Sequence, residues 1–254
     1  MRHCRHEGPL RVQRPFYPET DGTCHVYLLH PPGGVVGGDE LEVKLDLQPR
    51  SRVLLTTPGA SKLYRSGGAE SRIRQRILAG REAHVEWLPQ ETIVFDGALV
   101  STTTVVTLEE RATFVGWEVI SLGRAASCED FVSGCVTQRF EVWRDGVPLF
   151  YERLALRGGD PLLAAPWGLR GCRVAATFVV AGPEPSVLAK IRDELAIAMK
   201  SDPGFGGTVL EGAAVFRLLG TSAREVRRTL ESAWRLARCA LGSDGTLVPR
   251  IWKT

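Results

Sequence analysis

Residues 41–48, which read Leu-Glu-Val-Lys-Leu-Asp-Leu-Gln, alternate strictly between apolar and polar side chains. Because successive side chains of a β-strand point to opposite faces, this alternation predicts a strand with one buried face. Short apolar or β-branched runs return at intervals of about ten residues, without an intervening helix pattern. They lie at residues 53–57, 71–78, 85–87, 100–108, 113–120, 136–143, 149–156 and 174–181. This spacing predicts a body of many short antiparallel strands.

The last third of the chain changes from strand patterning to helix patterning. An apolar stripe predicts a helix over residues 185–199, and residues 208–219 offer one or two strands. Ser222 followed by Glu225 forms a capping box, which predicts the start of a second helix. Five arginines surround the apolar stripe of this second helix: Arg224, Arg227, Arg228, Arg235 and Arg238. They are most simply a solvated helix face, and a surface that docks a partner is the alternative.

The fold class follows from these two patterns. We expect a mainly β, antiparallel fold of many short strands, with two α-helices in the C-terminal third. The dipeptide Asp145-Gly146 predicts a tight hairpin turn between two of the strands. No internal sequence repeat is visible. We expect a single domain over residues 1–254, with a β-rich body at about 8–181 and an α/β part at about 182–254.

Charge and composition exclude several classes of partner. Lys and Arg number 32 and Asp and Glu number 29, and a net charge of +3 is too small to indicate nucleic acid or an anionic membrane. No uncharged run approaches the ~20 apolar residues of a membrane-spanning helix, and the N-terminus lacks the apolar stretch of a signal peptide. We therefore expect a soluble, cytoplasmic protein.

The cysteines are widely spaced and form no Cys-x-x-Cys pair. Their positions are Cys4, Cys24, Cys128, Cys135, Cys172 and Cys239. In a reducing compartment they are most simply six free thiols. Ligation of a soft metal by His3, Cys4 and His6, or by Cys24 with His25, is the alternative.

The glycine run at residues 33–38, Gly-Gly-Val-Val-Gly-Gly, is superficially similar to a phosphate-binding loop. It lacks the Gly-Lys-Ser/Thr ending and precedes a predicted strand instead of a helix. The run therefore indicates turns and not a nucleotide site. A Gly-x-Ser-x-Gly motif is also absent, so the usual sequence signal of a serine hydrolase is missing.

Carboxylates in apolar surroundings are the best candidates for chemistry. Glu118, Glu129 and Glu152 each lie in or beside a strongly apolar run. Pairing with arginine is the simplest interpretation, and three arginines are available: Arg124, Arg139 and Arg153. An unpaired buried carboxylate is costly unless it is protonated, hydrogen-bonded or bound to a cation. Two further interpretations stay open, a hydrolase that uses two carboxylates as acid and base, and weak coordination of Ni²⁺ by carboxylates and water.

Seven segments of the chain match the motifs of one known family, in the same order. They lie at residues 10–19, 24–39, 57–66, 86–91, 122–124, 141–146 and 247–252. On these segments the chain resembles the urease accessory protein UreD family, also called UreH. The resemblance runs from residue 8 to the C-terminus, and over residues 182–245 only the helix and strand patterning supports it.

The resemblance implies a scaffold and not an enzyme. Members of this family bind apo-urease and the accessory protein UreF, which recruits the GTPase UreG, and the assembly promotes nickel insertion into urease. We expect the same partners here, in a larger complex that contains two copies of the chain. The resemblance implies no tightly bound cofactor and only transient contact with Ni²⁺. A metal-free interaction module is the alternative, because it needs the same fold and the same partners.

The resemblance also implies an acid-lined interior path for nickel. Carried over by position, the acids are Asp39, Glu40, Glu118 and Glu152. The chain departs from the family pattern at Cys128, which is either an incidental small residue or an added soft ligand. Exposed Trp or Leu side chains are expected where UreF binds, because lasting assemblies bury apolar surface. The C-terminal helix and residues 249–252 are nominated for this surface, and an anchor of the chain's own tail is the alternative role of Trp252.

Overall fold

The chain passes repeatedly between two stacked β-sheets. The computed structural model describes residues 4–200, 202, 204–243 and 247–253. Ten strands form the larger sheet: β1 (Arg11–Val12), β2 (Cys24–Leu29), β4 (Arg52–Thr56), β5 (Ser61–Leu63), β7 (His84–Leu88), β8 (Thr92–Val94), β10 (Thr113–Leu122), β13 (Val174–Ala181), β14 (Phe205–Leu210) and β15 (Ala213–Gly220). Five strands form the smaller sheet: β3 (Glu40–Leu47), β6 (Ser71–Ala79), β9 (Leu99–Leu108), β11 (Cys135–Arg144) and β12 (Val147–Arg157). Two α-helices, α1 (Pro185–Ala198) and α2 (Ala223–Ala240), cover the outer face of the larger sheet.

The antiparallel arrangement predicted from the strand spacing is wrong for the body of the fold. In the larger sheet β2, β4, β7 and β10 pair in parallel, and in the smaller sheet β3, β6, β9 and β11 do the same. The prediction assumed that consecutive strands pair as hairpins. Here the chain crosses to the other sheet and back, so neighbouring strands in one sheet run in the same direction. The body is therefore a solenoid-like stack of parallel strands.

Antiparallel pairing remains where the stack ends. β11 and β12 form a hairpin through Asp145 and Gly146, whose φ values of 50° and 77° suit a tight turn. β13 pairs antiparallel with β10 and β15, and β14 closes this edge of the larger sheet. The hairpin turn predicted at Asp145-Gly146 is confirmed, and so is the mainly β class with two C-terminal helices.

Stacked turns at one end of the sheets share a backbone shape without sharing a sequence. Arg50, Glu82 and Arg111 each hold a left-handed backbone, with φ of 60°, 60° and 56°, in three successive turns. Each turn hydrogen-bonds the next, because Arg50 N donates to Arg81 O and Glu82 N donates to Glu110 O, both at 2.9 Å. Glu82 also forms ion pairs with Arg50 and Arg111. These contacts hold the turns, and with them the strands, in register.

Apolar side chains cover both faces of the larger sheet, as β10 illustrates. Phe114 and Ile120 point into the space between the sheets, whereas Trp117 and Val119 pack beneath the helices. The apolar side chains between the sheets form two clusters, one near the stacked turns and one towards the opposite end. A layer of polar side chains separates the two clusters.

Both helices begin where the sequence predicts. Pro185 stands in the first turn of α1, and the Ser222 side chain accepts a hydrogen bond from the Glu225 amide at 3.4 Å at the start of α2. Of the helices in the described part of the chain, none is both long and apolar enough to cross a lipid bilayer.

The C-terminal segment is held against the fold by Trp252. Its indole Nε1 donates to Thr56 Oγ1 at 2.7 Å, and its ring centroid lies 5.8 Å from Trp117 and 5.6 Å from Trp234. The Arg227 guanidinium lies 4.7 Å from the centroid of the Trp252 ring. These contacts favour the role of Trp252 as an anchor of the tail.

Candidate functional site

A row of polar side chains crosses the middle of the space between the two sheets. We name this set the interior polar row. Its members are Gln75, Thr104, Gln138 and Glu152 from the smaller sheet and Glu118, Thr177 and Arg217 from the larger sheet. Glu118 pairs with Thr177 across β10 and β13, and Thr177 pairs with Arg217 across β13 and β15. Strand register, and not proximity in sequence, therefore assembles the row.

Glu118 accepts hydrogen bonds from two members of the interior polar row, Thr104 and Gln138, and from Trp87 beside it. Thr104 Oγ1 lies 2.7 Å and Trp87 Nε1 lies 3.0 Å from Glu118 Oε1, and Gln138 Nε2 lies 3.5 Å from Glu118 Oε2. Thr104 Oγ1 also lies 3.1 Å from Gln75 Oε1. Among the described residues no basic side chain pairs with Glu118. The carboxyl group is thus hydrogen-bonded but has no counter-charge.

The surroundings of Glu118 favour its neutral form. Burial raises the pKa of Glu118 above its ordinary value, and the hydrogen bonds from Thr104 and Trp87 oppose this shift only in part. A cation close to Glu118 would act in the opposite direction, because a positive charge favours the carboxylate. Glu118 is therefore a half-buried acid that forms hydrogen bonds but no ion pair among the described residues.

Glu152 is the second acid of the interior polar row, and it lies nearer to solvent. Thr177 Oγ1 donates to Glu152 Oε2 at 2.7 Å. Arg217 donates to Glu152 Oε1 from Nε at 2.7 Å and from Nη2 at 2.6 Å. The Arg217 side chain is 56% exposed, whereas that of Glu152 is 16% exposed. This ion pair marks the end of the row that meets water.

The other two predicted acids lie outside the interior polar row. Asp39 is in the turn before β3, where its Oδ2 accepts a hydrogen bond from the Val36 amide at 3.0 Å. Glu40 is exposed on the outer face of β3, and its carboxylate lies 3.1 Å from Arg72 and 3.5 Å from Arg74. The structure thus brings Glu118 and Glu152 between the sheets and leaves Asp39 and Glu40 at the surface. A common nickel path for all four acids stays a prediction.

Only some of the acids in apolar surroundings pair with the arginines that the sequence made available. Arg124, one of the three available arginines, pairs with Glu129. Glu152 pairs with Arg217 instead, and Glu118 pairs with no arginine among the described residues. Arg139 pairs with Glu141 at 2.8 Å on the outer face of the smaller sheet.

An open pocket of about 400 Å³ lies at the end of the sheets opposite the stacked turns. Its lining is Tyr64, Arg65, Phe95, Asp96, Arg124 and Glu129. Both acids are neutralised, because Asp96 lies 2.7 Å from Arg65 and Glu129 pairs with Arg124. Burial acts to raise the pKa of Asp96, but hydrogen bonds from Ser133 and the Val132 amide lower it below its ordinary value. A pocket whose two acids are each paired with an arginine does not favour the carboxylate-hydrolase interpretation.

A second group of charged side chains is buried between the larger sheet and α2. Arg238 of α2 donates from Nε to Glu86 Oε1 at 2.8 Å and from Nη1 to Glu19 Oε2 at 2.7 Å. The imidazoles of His84 and His25 lie 3.0 Å and 2.6 Å from Glu86 and Glu19, respectively. Burial acts to raise the pKa of Glu86, but hydrogen bonds from His84 and the charge of Arg238 lower it. We name these five residues the buried ion cluster, and its role is to fix α2 on the sheet.

The soft-metal alternatives receive no support from the described residues. Cys24 points into the apolar space between the sheets, whereas His25 points to the opposite face and bonds Glu19. His3 lies outside the described residues, so its site with Cys4 and His6 stays a prediction. In the described ranges no three His, Cys, Asp or Glu side chains converge as a metal site. All six cysteines are free thiols, and Cys128 is exposed in a short turn.

Two neighbouring loops at one end of the fold expose apolar side chains. Trp167 is 84% exposed, and Val132 and Leu162 are exposed as well. Their two loops are joined, because the Gly159 amide donates to Phe131 O at 3.3 Å. We name Val132, Leu162 and Trp167 the apolar patch. An exposed Trp on a hydrogen-bonded loop is typical of a protein-binding surface.

Sequence reasoning missed the uncharged members of the interior polar row. A signal for two of them was present, because Gln75 lies between Ile73 and Ile77 on the apolar face of its strand. Gln138 likewise shares a face with Val136 and Phe140. A polar residue at an inward position in successive strands indicates a polar layer between sheets.

Comparisons with known proteins agree on one family. The family described as "UreD urease accessory protein" matches residues 1–253. The chain is 46% identical to Urease accessory protein UreD 2 of Brucella anthropi, over 98% of this chain and 91% of that protein. It is 41% identical to Urease accessory protein UreD of Saccharophagus degradans, over 98% of this chain and 86% of that protein. It is 41% identical to Urease accessory protein UreD of Nostoc sp., over 98% of this chain and 88% of that protein.

Proposed function

Because the chain belongs to the urease accessory protein UreD family, we propose that it is a scaffold for urease maturation and catalyses no reaction itself. It binds apo-urease and UreF, UreF recruits the GTPase UreG, and two copies of the chain are present in the complex. The assembly works in the cytoplasm and promotes insertion of Ni²⁺ into urease. Nickel is the cargo of this scaffold and not its resident cofactor.

The interior polar row carries the proposal that nickel passes through the chain. It supplies carboxylate, amide and hydroxyl oxygens between two apolar clusters, and its central acid has no counter-charge. Oxygen ligands without thiolate or imidazole hold Ni²⁺ weakly. Weak binding suits a protein that must release the metal to an acceptor. Asp39 and Glu40 would be the surface acids of the same path, and Glu40 would have to exchange its ion pairs with Arg72 and Arg74 for the cation.

Omission of the chain tests the maturation role. Urease subunits and accessory proteins of the same host are co-expressed with and without this chain, and urease activity and bound nickel are measured. We expect both to collapse without the chain while apo-urease stays folded, because apo-urease then lacks its scaffold. Fully loaded urease in the absence of the chain would contradict the proposal.

Replacement of the four acids separates nickel transfer from simple docking. A chain with Asp39, Glu40, Glu118 and Glu152 changed to alanine is introduced into the same co-expression. Nickel transfer through the chain predicts loss of urease activation with retained binding of UreF and apo-urease. Intact activation would favour the metal-free interaction module instead.

The apolar patch is the surface proposed for UreF, in place of the C-terminal helix and residues 249–252. A lasting complex buries apolar side chains, and a central Trp commonly supplies a large share of the affinity. We expect Trp167→Ser to weaken co-purification with UreF at least tenfold without lowering the melting temperature, since Trp167 is already solvated. Tyr151→Ser, which changes another exposed aromatic residue, is the control. Equal retention of UreF by both variants would rule out the patch.

A further inference from the structure

The exposed face of α2 carries three arginines that the fold itself does not use. Of the five arginines of this helix, Arg238 is in the buried ion cluster and Arg227 bonds Glu231 at 3.3 Å. The other three are exposed and form no ion pair among the described residues: Arg224, Arg228 and Arg235. We name these three the basic stripe. The sequence pattern of five arginines thus divides into two structural residues and three surface residues.

Helix geometry aligns the basic stripe. Positions i, i+4 and i+11 fall within about 40° of one another around an α-helix and span about 16 Å along it. Arg224 and Arg228 are four residues apart, so their charges repel each other across one turn of the helix. Helix α1 shows the opposite arrangement, because Lys190 pairs with Glu194 and Arg192 with Asp193. The charges of α1 are balanced within the helix, whereas α2 has five arginines against two acids, Glu225 and Glu231, and Glu231 pairs with Arg227.

On the basis of the proposed function, we infer that the basic stripe docks an acidic segment of apo-urease. The ligand chemistry follows from the charge, because three aligned guanidinium groups are complementary to carboxylates spaced along a helix or an extended strand. The exposed face of α2 presents no large apolar side chain. Such an interface associates rapidly and is sensitive to salt. These properties suit apo-urease, which must leave after it is loaded, and the apolar patch suits the partner that stays.

Charge reversal tests the inference. The chain, co-purified with UreF, is measured for binding to immobilised apo-urease as wild type and as the triple variant Arg224→Glu, Arg228→Glu and Arg235→Glu. We expect apparent affinity to fall at least tenfold, with retention of UreF unchanged. We also expect wild-type affinity to fall with added salt and the variant to lose most of this dependence. The three side chains are exposed, and Glu at position 224 is favourable because that position is in the first helical turn, so the variant should fold.

A matched control and the alternative outcomes make the test decisive. The control reverses three exposed arginines elsewhere that form no ion pair in the described part of the chain: Arg14, Arg153 and Arg157. Equal binding of the stripe variant and the wild type would overturn the inference and leave a solvated helix face. Equal loss in both triple variants would also overturn it, because net charge alone would then explain the effect. Loss of UreF binding with normal apo-urease binding would overturn the inference, because the stripe would then dock UreF. Binding of the wild type to phosphatidylserine vesicles but not to apo-urease would overturn it as well, because the stripe would then dock on a membrane.

Co-expression with and without the chain distinguishes a wrong docking surface from a wrong maturation role. Urease that needs the chain but is activated normally by the stripe variant would overturn the docking surface alone. Urease that is loaded without the chain would overturn the maturation role itself.

Discussion

Replacement of Arg238 with methionine is expected to lower the free energy of unfolding by about 3–5 kcal/mol. The side chains of Arg238, Glu86 and Glu19 are at most 2% exposed. Methionine fills the space of the aliphatic stem but leaves two carboxylates buried without the cation that bonds both. Removal of one partner from a buried ion pair is far more damaging than removal of the whole pair.

Urea unfolding followed by tryptophan fluorescence measures this effect, since Trp234 donates to Glu86 Oε2 at 2.6 Å and lies within the affected region. Arg228→Met is the control on the same helix, and we expect it to change stability by less than about 0.5 kcal/mol. The double variant Arg238→Met with Glu86→Gln should recover part of the loss, because it removes one of the uncompensated charges. A loss below about 1 kcal/mol for Arg238→Met would contradict the role given to the buried ion cluster.

Replacement of Glu118 with glutamine is expected to separate stability from nickel delivery. The amide keeps an oxygen for Thr104 and Trp87 but cannot ionise. If Glu118 holds the cation, nickel found in urease after co-expression should fall at least tenfold. Glu42→Gln, on the exposed face of β3, removes a carboxylate outside the interior and should leave delivery unchanged. Normal delivery by the Glu118 variant would remove Glu118 from the path.

The pH dependence of stability provides the second readout of the same variant. Burial raises the pKa of Glu118 in the folded chain, so the unfolded chain loses this proton first as pH rises. Wild-type stability should therefore fall as pH rises from the ordinary carboxyl pKa through the raised one, by ~1.4 kcal/mol for each unit between them. The glutamine variant should lack this component. The measurement is the difference in unfolding free energy between variant and wild type across that pH window. Glu19 and Glu86 do not contribute to this difference, because their pKa values are lowered and they affect stability at more acidic pH. A difference that does not change with pH would contradict the raised pKa.

Local chemistry determined much of this protein from its sequence alone. The alternation at residues 41–48, the Ser222 cap and the Asp145-Gly146 turn each predict an element that the structure contains, because each depends on neighbours a few residues apart. The family could be recognised for a similar reason, since its motifs are contiguous segments. The position of one candidate acid can be read from the same alternation. Glu40 faces solvent in a strand with one buried face, and its alternation shows this.

Only the tertiary structure decided the direction of the strands and the surroundings of the buried charges. Parallel pairing depends on which sheet the chain enters after each turn, and strand spacing is the same for a hairpin and for a crossing. Both faces of β10 are buried, so no apolar–polar alternation reveals that Glu118 points between the sheets. Arg238 finds Glu86 across 152 positions and Glu19 across 219. Electrostatic partners of this kind are chosen by burial and geometry in three dimensions, and sequence separation carries no information about either.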